Sequence, residues 1–157
     1  MDLNPAEASR ISRVQSEQGA DTTNSLFTAL LRSGHEAANF SALVDHLKAL
    51  SPAGVDLEIR SLDSRVVDGH SELSDFISAL TAHLRSKRDF ELVNTWMAVL
   101  LKVNSDIVRK CSESDAAENR VLRGVLDAWA SAQQLERERL ARLVGYCRGV
   151  TSFLRSV

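Results

Sequence analysis

Proline is nearly absent from this chain of 157 residues. Its two prolines are Pro5 and Pro52, so the last 105 residues contain none. Because proline lacks an amide hydrogen and its ring clashes with the preceding helical turn, a proline-free stretch of this length permits long helices. Apolar side chains recur at intervals of three and four, with few alternating runs. This spacing predicts an all-α protein.

The length of the chain is that of one domain. Residues 1–22 are rich in Ser, Glu, Gln, Ala and Asp and are predicted to form a flexible lead-in, followed by a helical domain over 23–157. The longest apolar run, 96–101, is six residues, whereas a membrane-spanning helix needs about 20. No apolar segment follows a basic start at the amino terminus, as a secretory signal would require. We therefore expect an intracellular protein without a membrane span.

The first half of the domain is predicted to contain three short helices. Helices over about 25–33 and 36–50 form an antiparallel pair, with Gly34 ending the first in a left-handed cap. A third helix begins at Ser51, with Pro52 at its first position. The alternating apolar residues Val55, Leu57 and Ile59 would also suit a short strand. A helix is favoured because no partner strand is evident.

Two longer helices follow, the fourth capped by Ser71 and the fifth by Asp89. The fifth carries apolar stripes on two sides, which predicts that it is the buried centre of an antiparallel helical domain. The predicted core consists of Phe76, Leu80, Phe90, Val93, Trp96, Met97, Leu100 and Trp129.

A long carboxy-terminal helix is predicted from about residue 115 almost to residue 157. Its apolar residues alternate spacings of four and three, in the sequence Leu122, Leu126, Trp129, then Leu140, Leu143, Cys147, Val150 and Leu154. The pattern is heptad-like, but the polar Gln133 and Glu136 occupy the two middle positions. Two alternatives follow: the helix bridges two buried zones across an exposed polar waist, or it breaks near Gly145 and Gly149.

No catalytic, metal or cofactor site is predicted. The four histidines have no metal-ligand spacing and no nucleophile in a recognisable turn, and no glycine-rich phosphate loop occurs. Carboxylate pairs such as Glu136 and Glu138 are interpreted as solvated charges. Cys111 and Cys147 lack a CxxC partner, so we predict reduced thiols in or near the core. A small-molecule substrate is not expected.

The charges are divided unequally along the chain. Residues 1–78 hold six basic and twelve acidic side chains, whereas residues 79–157 hold thirteen and nine. Such a dipolar surface suits charged partners. Arg85, Lys87 and Arg88 form a basic cluster where the fourth helix ends. These cations complement the helix dipole, and contact with RNA phosphates is the alternative interpretation.

A second candidate surface lies on the last helix. It consists of Leu135, Arg139, Leu140, Leu143 and Tyr146. An apolar group on a mostly charged helix is able to dock a partner helix. The alternative is ordinary contact within the domain, which the spacing alone does not exclude.

Three segments carry a family resemblance. They read LSPAGVDLEIRSL at 50–62, LRSKRDFELVNTWMAVLLKVNSD at 84–106 and LVGYCRGVTSFLRS at 143–156. Together they resemble the carboxy-terminal helical domain of the WD40-repeat U3 small nucleolar RNA-associated protein 21 family. The most specific parts are DLEIRSL at 56–62 and KRDFELV at 87–93.

The resemblance implies a noncatalytic role in ribosome biogenesis. Members of that family belong to the UTP-B subcomplex of the small-subunit processome, which acts with U3 snoRNP in 18S pre-rRNA processing and small ribosomal subunit assembly. It implies a nucleolar scaffold whose partners are other processome proteins. Direct contact with pre-rRNA or snoRNA, through the basic carboxy-terminal half, is the alternative. The family supplies no active-site residues to transfer.

Overall fold

The fold is described by a computed structural model for residues 25–65, 71–113 and 116–156. Every regular element within those ranges is an α-helix. The helices are α1 (Leu26–Glu36), α2 (Ser41–Ala49), α3 (Pro52–Ser61), α4 (Glu72–Arg85), α5 (Phe90–Val103), α6 (Ser105–Glu113) and α7 (Ala117–Ser156). The all-α prediction is confirmed. The predicted lead-in, residues 1–22, lies outside the described residues.

The segment that could have been a strand is helix α3. The Ser51 side chain accepts a hydrogen bond from an amide of the first turn, and Pro52 is the first helical residue. Val55 and Ile59 are buried, whereas Leu57 between them is 68% exposed. Residues four apart share a helix face, but in a strand all three would lie on one side. The strand alternative is therefore wrong.

Gly34 does not end the first helix as predicted. It is buried inside α1, which continues to Glu36. A Cβ atom at this position would lie 2.7 Å from Cδ1 of Phe40, so the glycine allows that ring to approach the helix. The left-handed residue after the helix is Ala38, whose φ is 49°. The glycine is needed for close contact, and the turn itself is made by other residues.

The buried central helix is α4. It contacts α7, α1 and α5. Its buried residues are Leu73, Ser74, Phe76, Ile77, Ala79, Leu80, Thr81 and Leu84. The Phe76 ring meets Phe27 of α1 edge-on, with ring centroids 5.5 Å apart. A central buried helix was expected, but the choice of the fifth helix for this position is wrong.

Small residues explain why α4 is more enclosed than its apolar content suggests. Ser74, Ala79 and Thr81 are buried on faces between the large apolar residues. The Thr81 hydroxyl donates to the Ile77 carbonyl oxygen at 2.8 Å, so it needs no partner outside the helix. Such residues can be buried against neighbouring helices without an unsatisfied polar group.

Helix α5 buries one side. Val93, Trp96, Met97 and Leu100 are buried, whereas Phe90 of the predicted core is half-buried at the margin. Asn104 ends the helix, and α6 begins as a separate element at Ser105. The apolar residues on the second side of α5 are only partly covered, which is why this helix is not the centre.

A cluster of ion pairs around Asp89 lies where α2, α4 and α5 meet. Its carboxylate interacts with Lys48 Nζ and lies 2.9 Å from His83 Nε2. Asp89 occupies the predicted N-cap position of α5, but its φ is 53° and its side chain makes no capping hydrogen bond, so only the expected capping contact is wrong. The hydrogen bond from Lys48, and then that from His83, holds the pKa of the Asp89 carboxyl below its usual value.

Candidate protein-interaction surface

Helix α7 is continuous over 40 residues, which corresponds to a length of about 60 Å. The predicted alternative of a break near Gly145 and Gly149 is wrong. Both glycines lie within the helix, and a Cβ atom at either would meet nothing within 4 Å. We refer to residues 117–140 as the inner half and to residues 141–156 as the outer half.

The inner half is built into the core against α4 and α6. Its buried residues are Leu122, Trp129, Ala132 and Glu136. Hydrophobic burial of this stripe, continued by the half-buried Val125 and Leu126, attaches the helix to the domain.

The polar residues near the middle of α7 do not form an exposed waist. The Gln133 side-chain amide donates to Asn94 Oδ1 of α5 at 2.7 Å. Glu136 is buried and accepts a hydrogen bond from Arg139 Nε at 2.7 Å. The prediction of solvated carboxylates is therefore wrong for Glu136. Polar side chains can replace apolar ones at these heptad positions because each is hydrogen-bonded.

The outer half is exposed at every residue from 141 to 156. It nevertheless carries large apolar side chains: Leu143, Val144, Tyr146, Val150, Phe153 and Leu154. At about 100° per residue, these positions fall within about 180° of the helix circumference. Small residues, including Gly145 and Ser152, occupy the opposite side. We call this apolar side the outer face.

The predicted partner-binding residues lie around the start of the outer face. Leu135 is 61% exposed, Tyr146 is 73% exposed, Leu143 is also exposed and Leu140 is half-buried. Arg139 is half-buried and paired with Glu136, so it belongs partly to the interior. All five lie on one side of α7, by their spacing of three, four and seven.

Sequence reasoning did not include Val144, Val150, Phe153 and Leu154 in the candidate surface. They extend it from residue 146 to residue 154, and Phe153 is 67% exposed. The continued heptad spacing at Cys147, Val150 and Leu154 was the available signal. Cys147 itself is exposed, so its predicted place in or near the core is wrong, whereas Cys111 is buried.

Arginines border the outer face on both edges. Arg142 lies on one edge, and Arg148 and Arg155 lie on the other, by their helical spacing. Residues 139–157 contain four arginines and no Asp, Glu or His. Arg139 pairs with Glu136, whereas Arg142, Arg148 and Arg155 give the outer half a net positive charge. The acidic side chains of α7 lie in its inner half.

The predicted basic cluster lies at the opposite end of α4 from Ser71, the N-cap residue of that helix. Arg85, Lys87 and Arg88 are all exposed. Lys87 has a φ of 63°, and its amide donates to the Leu84 carbonyl oxygen at 3.0 Å, which closes the end of the helix. Arg88 borders a cleft of about 410 Å³ together with Lys48 and His83. The cluster thus caps a helix and presents cations to solvent.

A cleft of about 540 Å³ between α1 and the start of α4 collects ionisable side chains. His35 Nδ1 lies 3.4 Å from Asp75 Oδ1. The hydrogen bond from Arg65 holds the pKa of the Asp63 carboxyl below its usual value. The Asp63 amide donates a hydrogen bond to the Glu72 carboxylate at 3.0 Å. These contacts join the residues directly after α3 and the end of α1 to the first turn of α4, so the carboxylates have structural roles.

Neither a metal centre nor a membrane span is found in the part of the chain that the structure describes. Within residues 25–65, 71–113 and 116–156, no three His, Cys, Asp or Glu side chains are grouped so that they could hold a metal ion. No helix of these ranges combines the length and hydropathy needed to cross a bilayer.

Comparison with known proteins identifies the family. A family model described as "Utp21 specific WD40 associated putative domain" matches residues 2–155. The U3 small nucleolar RNA-associated protein 21 homolog of Schizosaccharomyces pombe is 37% identical over 150 residues, which are 95% of this chain and 16% of that protein. The U3 small nucleolar RNA-associated protein 21 of Saccharomyces cerevisiae is 38% identical over 128 residues, which are 82% of this chain and 13% of that protein.

The chain thus spans about one sixth or less of the length of these relatives. Their names refer to association with U3 small nucleolar RNA and to no catalysed reaction. The resemblance drawn from the segments around DLEIRSL and KRDFELV is confirmed. Because the family model covers nearly the whole sequence and both relatives exceed one third identity, this chain belongs to the Utp21 family.

Proposed function

We propose that this chain is a noncatalytic protein-interaction module of the small-subunit processome. It holds neighbouring proteins of the UTP-B subcomplex by helix-to-helix contact, and so supports 18S pre-rRNA processing and assembly of the small ribosomal subunit. Its site of action is the nucleolus. The observation that carries the proposal is the outer face of α7, a row of large apolar side chains exposed on a helix anchored in the core.

Exposed apolar surface of this extent supports protein binding. Soluble proteins rarely leave contiguous large apolar patches open to water, and those that do use them for binding. The names of the two yeast relatives link those proteins to U3 small nucleolar RNA. A helix face presented in this way suits recognition by other helices. The predicted residues Leu143 and Tyr146 lie in its first turn.

Removal of the outer half tests the proposal. In the protein as its own cells make it, tagged at the amino terminus, the helix is ended after Leu140. We expect recovery of other processome proteins and of U3 small nucleolar RNA to fall at least tenfold, and 18S rRNA to fall with it. The control, Ala141→Gln with Ser152→Gln, alters only the side opposite the outer face and should leave recovery unchanged. Undiminished association after truncation would reject the proposal.

Direct contact with pre-rRNA or snoRNA is the second candidate function. The exposed cations Arg85, Lys87 and Arg88 support it, together with the excess of basic residues in 79–157. Phosphate contacts release counterions, so the logarithm of the affinity should fall linearly with the logarithm of the salt concentration. A filter-binding titration with a U3 transcript measures this. Absence of binding at low salt would exclude the function for this chain.

A further inference from the structure

We infer that the outer face of α7 binds an acidic amphipathic helix of another protein. This inference rests on the proposed function and adds the chemistry of the partner. The expected partner helix carries an apolar stripe with Asp or Glu on its flanks. Three features of the outer half support it: the spacing of its apolar residues, the position of its arginines, and the continuity of the helix with the core.

The spacing of the apolar residues identifies the partner as a helix. Leu140, Leu143, Cys147, Val150 and Leu154 recur at intervals of three, four, three and four. This is the spacing with which one helix packs side chains into the holes of another. In the inner half, the same stripe already packs against α4. The outer half extends it by about 24 Å at 1.5 Å per residue.

The arginines identify the charge of the partner. Arg142, Arg148 and Arg155 border the apolar side chains, and residues 139–156 contain no acidic side chain. The nearest carboxylate along α7 is Glu138, one helical turn before Arg142 and more than two turns before Arg148. Arginine side chains are long enough to extend along an apolar surface and place the guanidinium at its margin. Carboxylates on the flanks of a docked helix would pair with them in bidentate hydrogen bonds.

The same arginines argue against two other occupants. A second copy of this helix, in parallel or antiparallel orientation, would bring arginines opposite arginines, and like charges across an interface disfavour association. An RNA strand would neutralise the arginines but leave the aliphatic side chains in water. Only Tyr146 and Phe153 of the outer face could stack on bases.

Photochemical crosslinking from the outer face identifies its occupant. The photoreactive p-benzoylphenylalanine replaces Phe153 in the tagged protein in its own cells, and the crosslinked segment is read by mass spectrometry. We expect a segment of another protein with apolar residues at three and four spacing and a net negative charge. The same group in place of Ser152, on the opposite side, should not reach that segment. A crosslink to a second copy, to RNA or to a neutral or basic segment would overturn the inference.

Two matched triple variants separate the inference from the proposed function. The apolar variant is Leu143→Ser, Val150→Ser, Phe153→Ser, and the charge variant is Arg142→Glu, Arg148→Glu, Arg155→Glu. We expect both to reduce recovery of the crosslinked protein at least tenfold, with helicity checked by circular dichroism. Loss in the apolar variant alone would overturn the acidic partner and leave the proposed function intact. Full recovery in both variants and in the chain ended after Leu140 would overturn both.

Discussion

In helix α7, apolar residues recur at one spacing in two different surroundings. Between Leu122 and Glu136, α4 covers the stripe, whereas every position from residue 141 to residue 156 is exposed. The spacing of the apolar residues is the same in both halves, so spacing alone does not distinguish them. The comparison teaches that heptad spacing defines which side of a helix is able to pack, while burial depends on whether another element lies there.

The largest expected difference between the halves is the cost of removing an aromatic ring. Trp129 is 5% exposed, and Trp129→Ala should lower the free energy of unfolding by about 3–5 kcal/mol through the cavity it leaves. Phe153→Ala should change it by less than about 0.5 kcal/mol, because that ring is already in water. Chemical denaturation measures both. Comparable costs would mean that the outer half is covered in the isolated chain.

Glycine-to-alanine substitutions should have opposite effects on stability at Gly34, in the packed part of the domain, and at Gly149, in the outer half of α7. Gly34→Ala places a Cβ atom 2.7 Å from the Phe40 ring, and overpacking of this kind costs about 1–3 kcal/mol. Gly149→Ala meets nothing within 4 Å. It should stabilise its part of the helix by up to about 1 kcal/mol, since alanine favours a helix over glycine. Denaturation reports the first change, and slower amide hydrogen exchange in residues 141–156 reports the second. Stabilisation by Gly34→Ala would contradict the contact with Phe40.

Lys87→Gly separates two roles of the basic cluster, which are to close the end of α4 and to present positive charge to solvent. Lys87 has a left-handed backbone, with φ 63°, and relief of that conformation by glycine should stabilise the domain by about 1 kcal/mol. Lys87→Ala, which keeps the strain and loses the charge, is the matched control. If both variants lower RNA affinity equally, the charge is responsible. If the outer half alone serves the interaction, neither variant should alter recovery of processome proteins.

The smallest expected effect is on the pH dependence of stability. It should arise in the packed part of the domain, where Asp89 lies, and not in the outer half of α7. The folded-state pKa of Asp89 lies below its usual value of 3.8 because of Lys48 and His83. Its stabilising contribution is therefore present above about pH 4 and is lost as the pH falls through the lowered pKa. Asp89→Asn should destabilise the domain at neutral pH and flatten the acid limb of a thermal-melting profile. A profile parallel to that of the unsubstituted protein would contradict the assignment.

The fold could be predicted largely from the sequence because helical periodicity is a local property. The absence of proline after Pro52 and the caps at Ser51 and Ser71 predicted helices that the structure contains. The central position of α4 could not be predicted, since it depends on Ser74, Ala79 and Thr81, which a count of large apolar residues ignores. The role of Gly34 depends on Phe40, six residues away, and no local pattern reports such a contact.

The candidate surface was only partly predictable for a related reason. The spacing at Leu140, Leu143 and Cys147 indicated the correct side of the last helix. The spacing could not indicate the residue of α7 beyond which no other helix covers it, because that position depends on the length of α4 beside it. The hydrogen bond between Gln133 and Asn94 was equally hidden, since polar residues at heptad positions resemble a solvated surface when their partners are unknown.

The absence of a break in α7 couples the direction of the outer face to the rest of the molecule. Each residue inserted into a continuous helix rotates everything beyond it by about 100°. One residue added between Glu136 and Leu143 would therefore turn the outer face away from the position at which the inferred partner helix binds, while leaving its composition intact. Seven added residues would return it to within about 20° of its original azimuth, about 10 Å farther from α4. The register of this helix thus sets the angle at which a bound partner meets the domain.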